Sequence, residues 1–210
     1  APSFDSANPG AADAGNLGNR TVTEAYEPGS TEKVLTMAAL TDSGLVTPDT
    51  KVDVPASITS GSGTVTDSFE HGRLKLTVRG VVAQSSNIGT IKLARQLDKA
   101  KLHEYLTSFG LGSAPGSGLP AETAGSLPEA DMADYTRDQI SFGQGLSVSV
   151  VQMGAALSAA VNGGTYHQPQ IIRSATNPDG TPISLATPAS RRVISEDASG
   201  MVVNMMESVI

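Results

Sequence analysis

Ser30 and Lys33 are the residues in this chain whose types and spacing are best suited to covalent chemistry. They stand three apart in the run Tyr26-Glu27-Pro28-Gly29-Ser30-Thr31-Glu32-Lys33, a spacing that suits a nucleophile with its own base. Pro28 and Gly29 break whatever precedes them, so a helix is predicted to start at or near Ser30. Val34, Leu35, Met37, Ala38, Ala39 and Leu40 make that helix apolar almost all round, the pattern of a buried helix over residues 30–43. On it Ser30 and Lys33 share a face, close enough for a hydrogen bond. A lysine among apolar neighbours loses hydration of its charged form, which lowers its pKa and lets it take the serine proton. The helix N-terminus adds a positive field where an attacked carbonyl develops negative charge. The same spacing also fits an N-capping serine followed by a solvated lysine. The Pro-Gly break before it and the buried-type helix after it favour the chemical reading.

Two further clusters could serve that pair. Ser85-Ser86-Asn87 lies between two apolar stretches, on a tight turn between packed helices. A hydroxyl and an amide there could relay a proton and hold a substrate amide, or simply form a polar helix–helix turn. Ser141-Phe142-Gly143-Gln144-Gly145 comes directly before another buried-type helix, and its glycines allow close backbone approach. The glycines at 112, 116 and 118 do not make a phosphate-binding loop, because the Lys-Ser/Thr ending and the preceding strand are both missing.

The elements that must position these residues follow from pattern. Short strands are expected at 51–55 and 63–67, and helices at 76–85, 88–97, 102–109 and 149–161. Asn162-Gly163-Gly164 stops the last of these. Residues 1–25 show no periodicity and are expected to be a loop. Residues 111–136 turn repeatedly, as a segment draped over the core would. Residues 165–194 are expected to form a strand, a Pro-Asp-Gly turn and a second extended piece. Residues 198–210 place Val202, Met205, Met206 and Val209 on one helical face.

Composition narrows the classes. The chain has 210 residues, room for one large domain or two small ones, and 22 glycines with 12 prolines imply many turns. A net charge of −7 without any Lys/Arg cluster argues against nucleic acid or anionic lipid as partner. With no cysteine there is neither a disulfide nor a thiolate metal site. His71, His103 and His167 lie far apart in no metal-ligand spacing and are expected on the surface or in loops. No apolar run is long enough to span a bilayer, so any membrane anchor would lie outside this chain.

Taken together and in order, these stretches resemble the transpeptidase domain of class B penicillin-binding proteins, most closely the division-septum type. The Glu-Pro-Gly-Ser setting of Ser30 with Lys33 matches that family's Ser-x-x-Lys motif, and Ser85-Ser86-Asn87-Ile88-Gly89 matches its Ser-x-Asn motif. Phe109-Gly110-Leu111-Gly112 onward to Gly125-Ser126-Leu127-Pro128 is similar to its connecting segment. Gly143-Gln144-Gly145-Leu146, Gln152-Met153 and Asn162-Gly163-Gly164 are similar to its Gly-Gln-Gly helix and following turn. The resemblance implies an α/β (α+β) fold, a sheet flanked by helices plus an all-helical lobe, with the sheet incomplete in this chain. It implies that Ser30, Lys33, Ser85 and Asn87 are catalytic and that Ser86, Gly143, Gln144 and Gly145 bind substrate. The implied reaction is acyl transfer on peptidoglycan stem peptides ending in D-Ala-D-Ala, with β-lactams as mimics and no cofactor or metal. The implied setting is the outer face of the cell membrane, with divisome membrane proteins as partners. A β-lactam sensor, a carboxypeptidase or β-lactamase relative, and a non-catalytic divisome scaffold are the alternatives.

Two departures from the family pattern stand out. Glu32 occupies a position that is usually apolar, where it could pair with Lys33 or point away. None of the six lysines precedes Thr-Gly or Ser-Gly, so the third motif, Lys-Thr/Ser-Gly, does not occur. Residues 1–210 are therefore expected to be part of one transpeptidase domain, without pedestal, anchor and later sheet strands. Such a piece would leave Val202, Met205, Met206 and Val209 uncovered and would fold poorly alone.

Overall fold

The computed structural model describes residues 5, 7–12 and 17–209, and the expected loop at 1–4, 6 and 13–16 and the helical end at Ile210 lie outside them. Among the described residues, eight α-helices and eight strands follow one another in mixed order. Helix α1 (Arg20–Thr23), a single turn capped by the Asn19 side chain, corrects the loop expected throughout residues 1–25. A 3-10 turn at Gly29–Thr31 leads into α2 (Lys33–Asp42), so the helix expected from residue 30 starts properly at Lys33. Its Leu35, Met37, Ala38, Ala39 and Leu40 are all buried, as an all-round apolar helix must be.

Strand β1 (Lys51–Val54) pairs antiparallel with β4 (Leu74–Thr77), Lys51 opposite Thr77 and Val54 opposite Leu74. Strands β2 (Ile58–Ser60) and β3 (Gly63–Val65) form a hairpin between them, turning on Gly61 at φ +57°. Helix α3 (Val78–Ala83) follows β4 directly. The helix expected over 76–85 is thus corrected: its first residues finish a strand, and Thr77 starts the helix by accepting a hydrogen bond from the Gly80 amide at 3.1 Å.

Helix α4 (Asn87–Ala94) is capped by Ser86, and α5 (Lys99–Ser108) starts earlier than its apolar residues suggest because Asp98 caps it. Residues 111–133 hold no helix or strand, and α6 (Asp134–Ile140) begins inside the stretch expected to turn throughout. Buried Asp138 on α6 receives Arg95 Nη2 at 2.6 Å from the end of α4, Ser60 Oγ at 2.7 Å from β2 and Arg137 Nη2 at 3.1 Å. Burial pushes its carboxyl upward, but these donors outweigh it and hold the pKa below the usual carboxylate range. The linked stability is present above the unfolded pKa near ~4 and is lost as pH falls through the lower folded value.

Helix α7 (Val150–Val161) carries a capping box, Ser149 and Gln152 each hydrogen-bonding the other's backbone. The Gln152 amide also donates to Ser113 O at 2.7 Å and Ala124 O at 2.9 Å, which pins the draped segment to the core. Strands β5 (Thr165–His167) and β8 (Ser190–Arg192) pair antiparallel, and β6 (Ala175–Thr176) with β7 (Pro182–Ile183) closes the expected Pro-Asp-Gly turn.

Helix α8 (Glu196–Met206) packs on α2, α3 and α7. Val202 and Met205 are therefore 1% exposed each, covered by the chain's own helices, while Met206 and Val209 stay 36% and 56% exposed. The expectation that all four are uncovered holds for only two of them. Among the described residues the strands make four two-stranded antiparallel pairs and no larger sheet, so the fold is mixed α/β with its core centred on the helices around α2.

Candidate active site

Ser30 is exposed on the 3-10 turn that leads into α2, and the turn is held from below. Tyr26 and Val148 exchange backbone hydrogen bonds at 2.9 Å, Gly29 N donates to Gly143 O at 2.9 Å, and Gly145 N donates to Glu27 Oε1 at 2.9 Å. Gly143 lies at φ +87°, where a Cβ would collide with the Gly29 carbonyl, its carbon only 2.6 Å away. The Gly-Gln-Gly segment is therefore a seat for the nucleophile turn. Gly143 and Gly145 support the nucleophile turn through their backbone, and Gln144 is exposed beside them. Gly143→Ala is expected to cost about 2 kcal/mol or more and to displace Ser30. A lower melting temperature with slowed penicillin labelling would show it, and wild-type values for both would refute it.

Lys33 is 4% exposed. Its Nζ donates to Ser85 O at 2.6 Å and approaches Ser85 Oγ at 3.1 Å. Among the described residues the Ser30 hydroxyl makes no hydrogen bond, so the expected Ser30–Lys33 bond is replaced by a Lys33–Ser85 one. The cause is local: Ser85 sits at φ +50°, in a turn between α3 and α4 whose carbonyl is free to meet a buried ammonium. Burial lowers the Lys33 pKa from 10.5 to about 8, against the opposing pull of Asp67 and Glu32. A neutral amine can keep both contacts to Ser85 with its two N–H bonds and still offer a lone pair.

Ser30, Lys33 and Ser85 line one cavity of about 290 Å³, walled by Met37 and by Met206 and Val209 beyond α8's buried face. Those two apolar walls carry no chemical signature, and only the docking of α8 on α2 brings them here. Asn87 does not line the cavity; it is half-buried, and its amide donates to Thr66 O at 3.3 Å. Ser86 is fully buried, its hydroxyl donating to Asp67 Oδ2 at 2.6 Å and accepting from Gly89 N at 2.9 Å. Its donor and one of its lone pairs are thus used inside the protein.

Glu32 forms no hydrogen bond or ion pair with Lys33 among the described residues, though its charge acts on it. It is fully buried, and both its oxygens contact Thr36 Oγ1, at 3.0 and 3.1 Å. Burial raises its pKa well above the ordinary carboxylate value, with Thr36 and Lys33 opposing. His71 lies in a loop as expected, and its side chain is only 5% exposed, with Nε2 3.1 Å from Asp67 Oδ2. His167 is exposed on β5, and His103 is half-buried on α5. Among the described residues no group of three or more His, Cys, Asp or Glu is arranged to hold a metal ion, and no helix is long and apolar enough to cross a membrane.

The penicillin binding protein transpeptidase domain family matches residues 1–210. The chain is 38% identical over 195 residues to Penicillin-binding protein PbpB of Mycolicibacterium smegmatis, covering 92% of this chain and 30% of that protein. It is 34% identical over 192 residues to Probable peptidoglycan D,D-transpeptidase PenA of Neisseria flavescens, covering 90% of this chain and 47% of that one. It therefore spans less than half the length of either curated relative. Among solved structures, penicillin binding protein 3 of Mycobacterium tuberculosis complexed with ampicillin aligns at TM-score 0.90 and 36% identity, over 99% of this chain and 46% of that one. Matched along its whole length by one family and similar in structure to a solved protein of the same kind, the chain belongs to the penicillin-binding protein transpeptidase domain family.

Proposed function

We propose that this domain carries the serine acyl-transfer centre of a penicillin-binding D,D-transpeptidase that cross-links peptidoglycan stem peptides in septal cell-wall synthesis. The observation that carries the reading is Lys33, a buried lysine brought to about 8, sharing one cavity with an exposed Ser30 and touching Ser85. Ser30 Oγ attacks the carbonyl of the penultimate D-Ala while its proton passes to neutral Lys33. The tetrahedral intermediate collapses, the proton moves to the departing nitrogen, and free D-Ala leaves. An amine of a neighbouring stem then attacks the ester, forms the cross-link and returns the proton to Ser30. Ser85, hydrogen-bonded to Lys33, is placed to relay the proton in either direction. A β-lactam enters the first half of this cycle and leaves Ser30 acylated.

The relatives' names support this reading, one a penicillin-binding protein, another a probable peptidoglycan D,D-transpeptidase, and so does the ampicillin complex of the similar structure. The septal setting, the anchoring to the outer face of the cell membrane and the divisome partners rest on the motif resemblance to the division-septum type. The test is to give the full-length protein a D-Ala-D-Ala stem peptide with an amine acceptor and weigh the products. Release of D-Ala with a cross-linked dimer is expected, together with a penicillin adduct that lasts for hours. D-Ala release without a dimer would make the protein a carboxypeptidase, and rapid loss of the adduct a β-lactamase. An adduct without peptide turnover would mark a sensor, and no adduct a scaffold.

A further inference from the structure

The segment after β3 grips the turn that carries Ser85 and Asn87. Asp67, 8% exposed, accepts the Ile88 amide on Oδ1 at 2.9 Å and the Ser86 hydroxyl on Oδ2 at 2.6 Å. Ser86 Oγ in turn accepts the Gly89 amide at 2.9 Å, and Thr90 Oγ1 donates to Ser86 O at 2.8 Å. Thr66 O receives the Asn87 amide. Two of the first amides of α4 therefore end on Asp67, one directly and one through Ser86, where a helix start would otherwise leave donors unmet. Behind the carboxylate stands His71, with Nδ1 2.6 Å from Gly72 O and Nε2 3.1 Å from Asp67 Oδ2. The ring thus bridges the Gly72 carbonyl and the Asp67 carboxylate. The Phe69 ring packs against the imidazole at 5.1 Å between centroids.

The turn between α3 and α4 is strained, with Ser85 at φ +50°, a conformation that a serine adopts only where its surroundings hold it. That backbone is what aims Ser85 O and Oγ at Lys33. Asp67 does not line the cavity that Ser30, Lys33 and Ser85 share, so it reaches the chemistry through the turn and through the pull of its charge on Lys33.

We propose that Asp67, backed by His71, is a positioning residue for acyl transfer, clamping the turn at residues 85–87 so that Ser85 meets Lys33. The proposal rests on the serine acyl-transfer reading and deepens it. It has two consequences that can be separated. The Ile88 and Gly89 amides should be protected from exchange by the clamp, whatever the protein catalyses. Acylation should depend on Asp67 in rate and in pH profile, because the charges facing Lys33 are Asp67 from the segment after β3 and Glu32 from its own turn.

The experiment compares Asp67→Asn, Asp67→Ala and His71→Leu with the wild type in the full-length protein. Amide hydrogen exchange is read at Ile88 and Gly89, and the penicillin acylation rate is measured from pH 6 to 9. Asp67→Ala is expected to lose about tenfold or more in Ile88 protection and in the acylation rate constant, with reversible binding little changed. Asp67→Asn keeps an acceptor for Ile88 but not the charge, so its acid limb should move to lower pH, a shift that loss of fold alone would not give. His71→Leu should show the same losses to a smaller degree. If Asp67→Ala does not fold, the asparagine variant decides. Wild-type rate and an unshifted pH limb in Asp67→Asn would overturn the proposal, as would unchanged Ile88 and Gly89 exchange in the folded variants. If the wild type itself is never acylated, the acyl-transfer reading fails, and the exchange result alone decides the clamp.

Discussion

Ser30→Ala in the full-length protein is expected to abolish covalent labelling by a fluorescent penicillin and leave the fold intact. The expected loss is about a thousandfold or more in acylation rate, because no other group replaces an absent nucleophile. Stability should change by no more than about 0.5 kcal/mol, since the side chain is exposed and bonds to nothing among the described residues. The two readouts together matter: a variant that melts normally and does not label has lost chemistry and nothing else. Ser85 lines the same cavity and its hydroxyl touches Lys33, so residual labelling in Ser30→Ala would have to be traced there first.

The second large effect concerns the base. With Lys33 at about 8, the neutral fraction rises roughly tenfold per pH unit below that value and saturates above it, so wild-type acylation should follow the same curve. Lys33→Arg should stay slow at every pH from 6 to 9, because a guanidinium does not give up its proton there. Lys33→Met removes the charge and nearly keeps the shape of a buried side chain, so it should fold and still lose about a hundredfold or more. Stopped-flow acylation across that pH range reads both. A flat wild-type profile, or near-normal rates in the arginine variant, would mean that the proton goes to a different group.

Much of the scaffold around these residues was legible from local pattern. Helix α2 announced itself by a Pro-Gly break and an apolar run, and α7 by its buried-type apolar run with Asn162-Gly163-Gly164 as a stop. The strand at Leu74–Thr77 did not, because it passes into α3 with no break and its apolar run fits either period until its partner is known. The turn type of Ser85-Ser86-Asn87 was legible, but not its division of labour. Whether Ser86 faces outward or into the protein depends on Asp67, 19 residues earlier in the chain, and an aspartate in a Thr-Asp-Ser turn has no mark to set it apart from a solvated one. Spacing paired Lys33 with its neighbour Ser30, whereas the hydrogen bond it makes is to Ser85, 52 residues on. The His71–Asp67 contact was not legible for the same reason: i,i+4 spacing has no meaning in a loop until the loop's path is known. The resemblance of the motifs named the family from order and context, and the geometry then showed which motif residues reach the cavity and which hold its walls in place.

The central claim is that Ser30 is the acyl-accepting atom and that Lys33 must be neutral for it to react. It is tested most directly by exposing the full-length protein to a penicillin at pH 6 and at pH 8.5, then digesting it and locating the adduct by mass. The account predicts one adduct, on the peptide containing Ser30, forming roughly a hundredfold faster at pH 8.5 than at pH 6, as the neutral fraction of a lysine near 8 dictates. An adduct on any other residue, or equal rates at the two pH values, would contradict it.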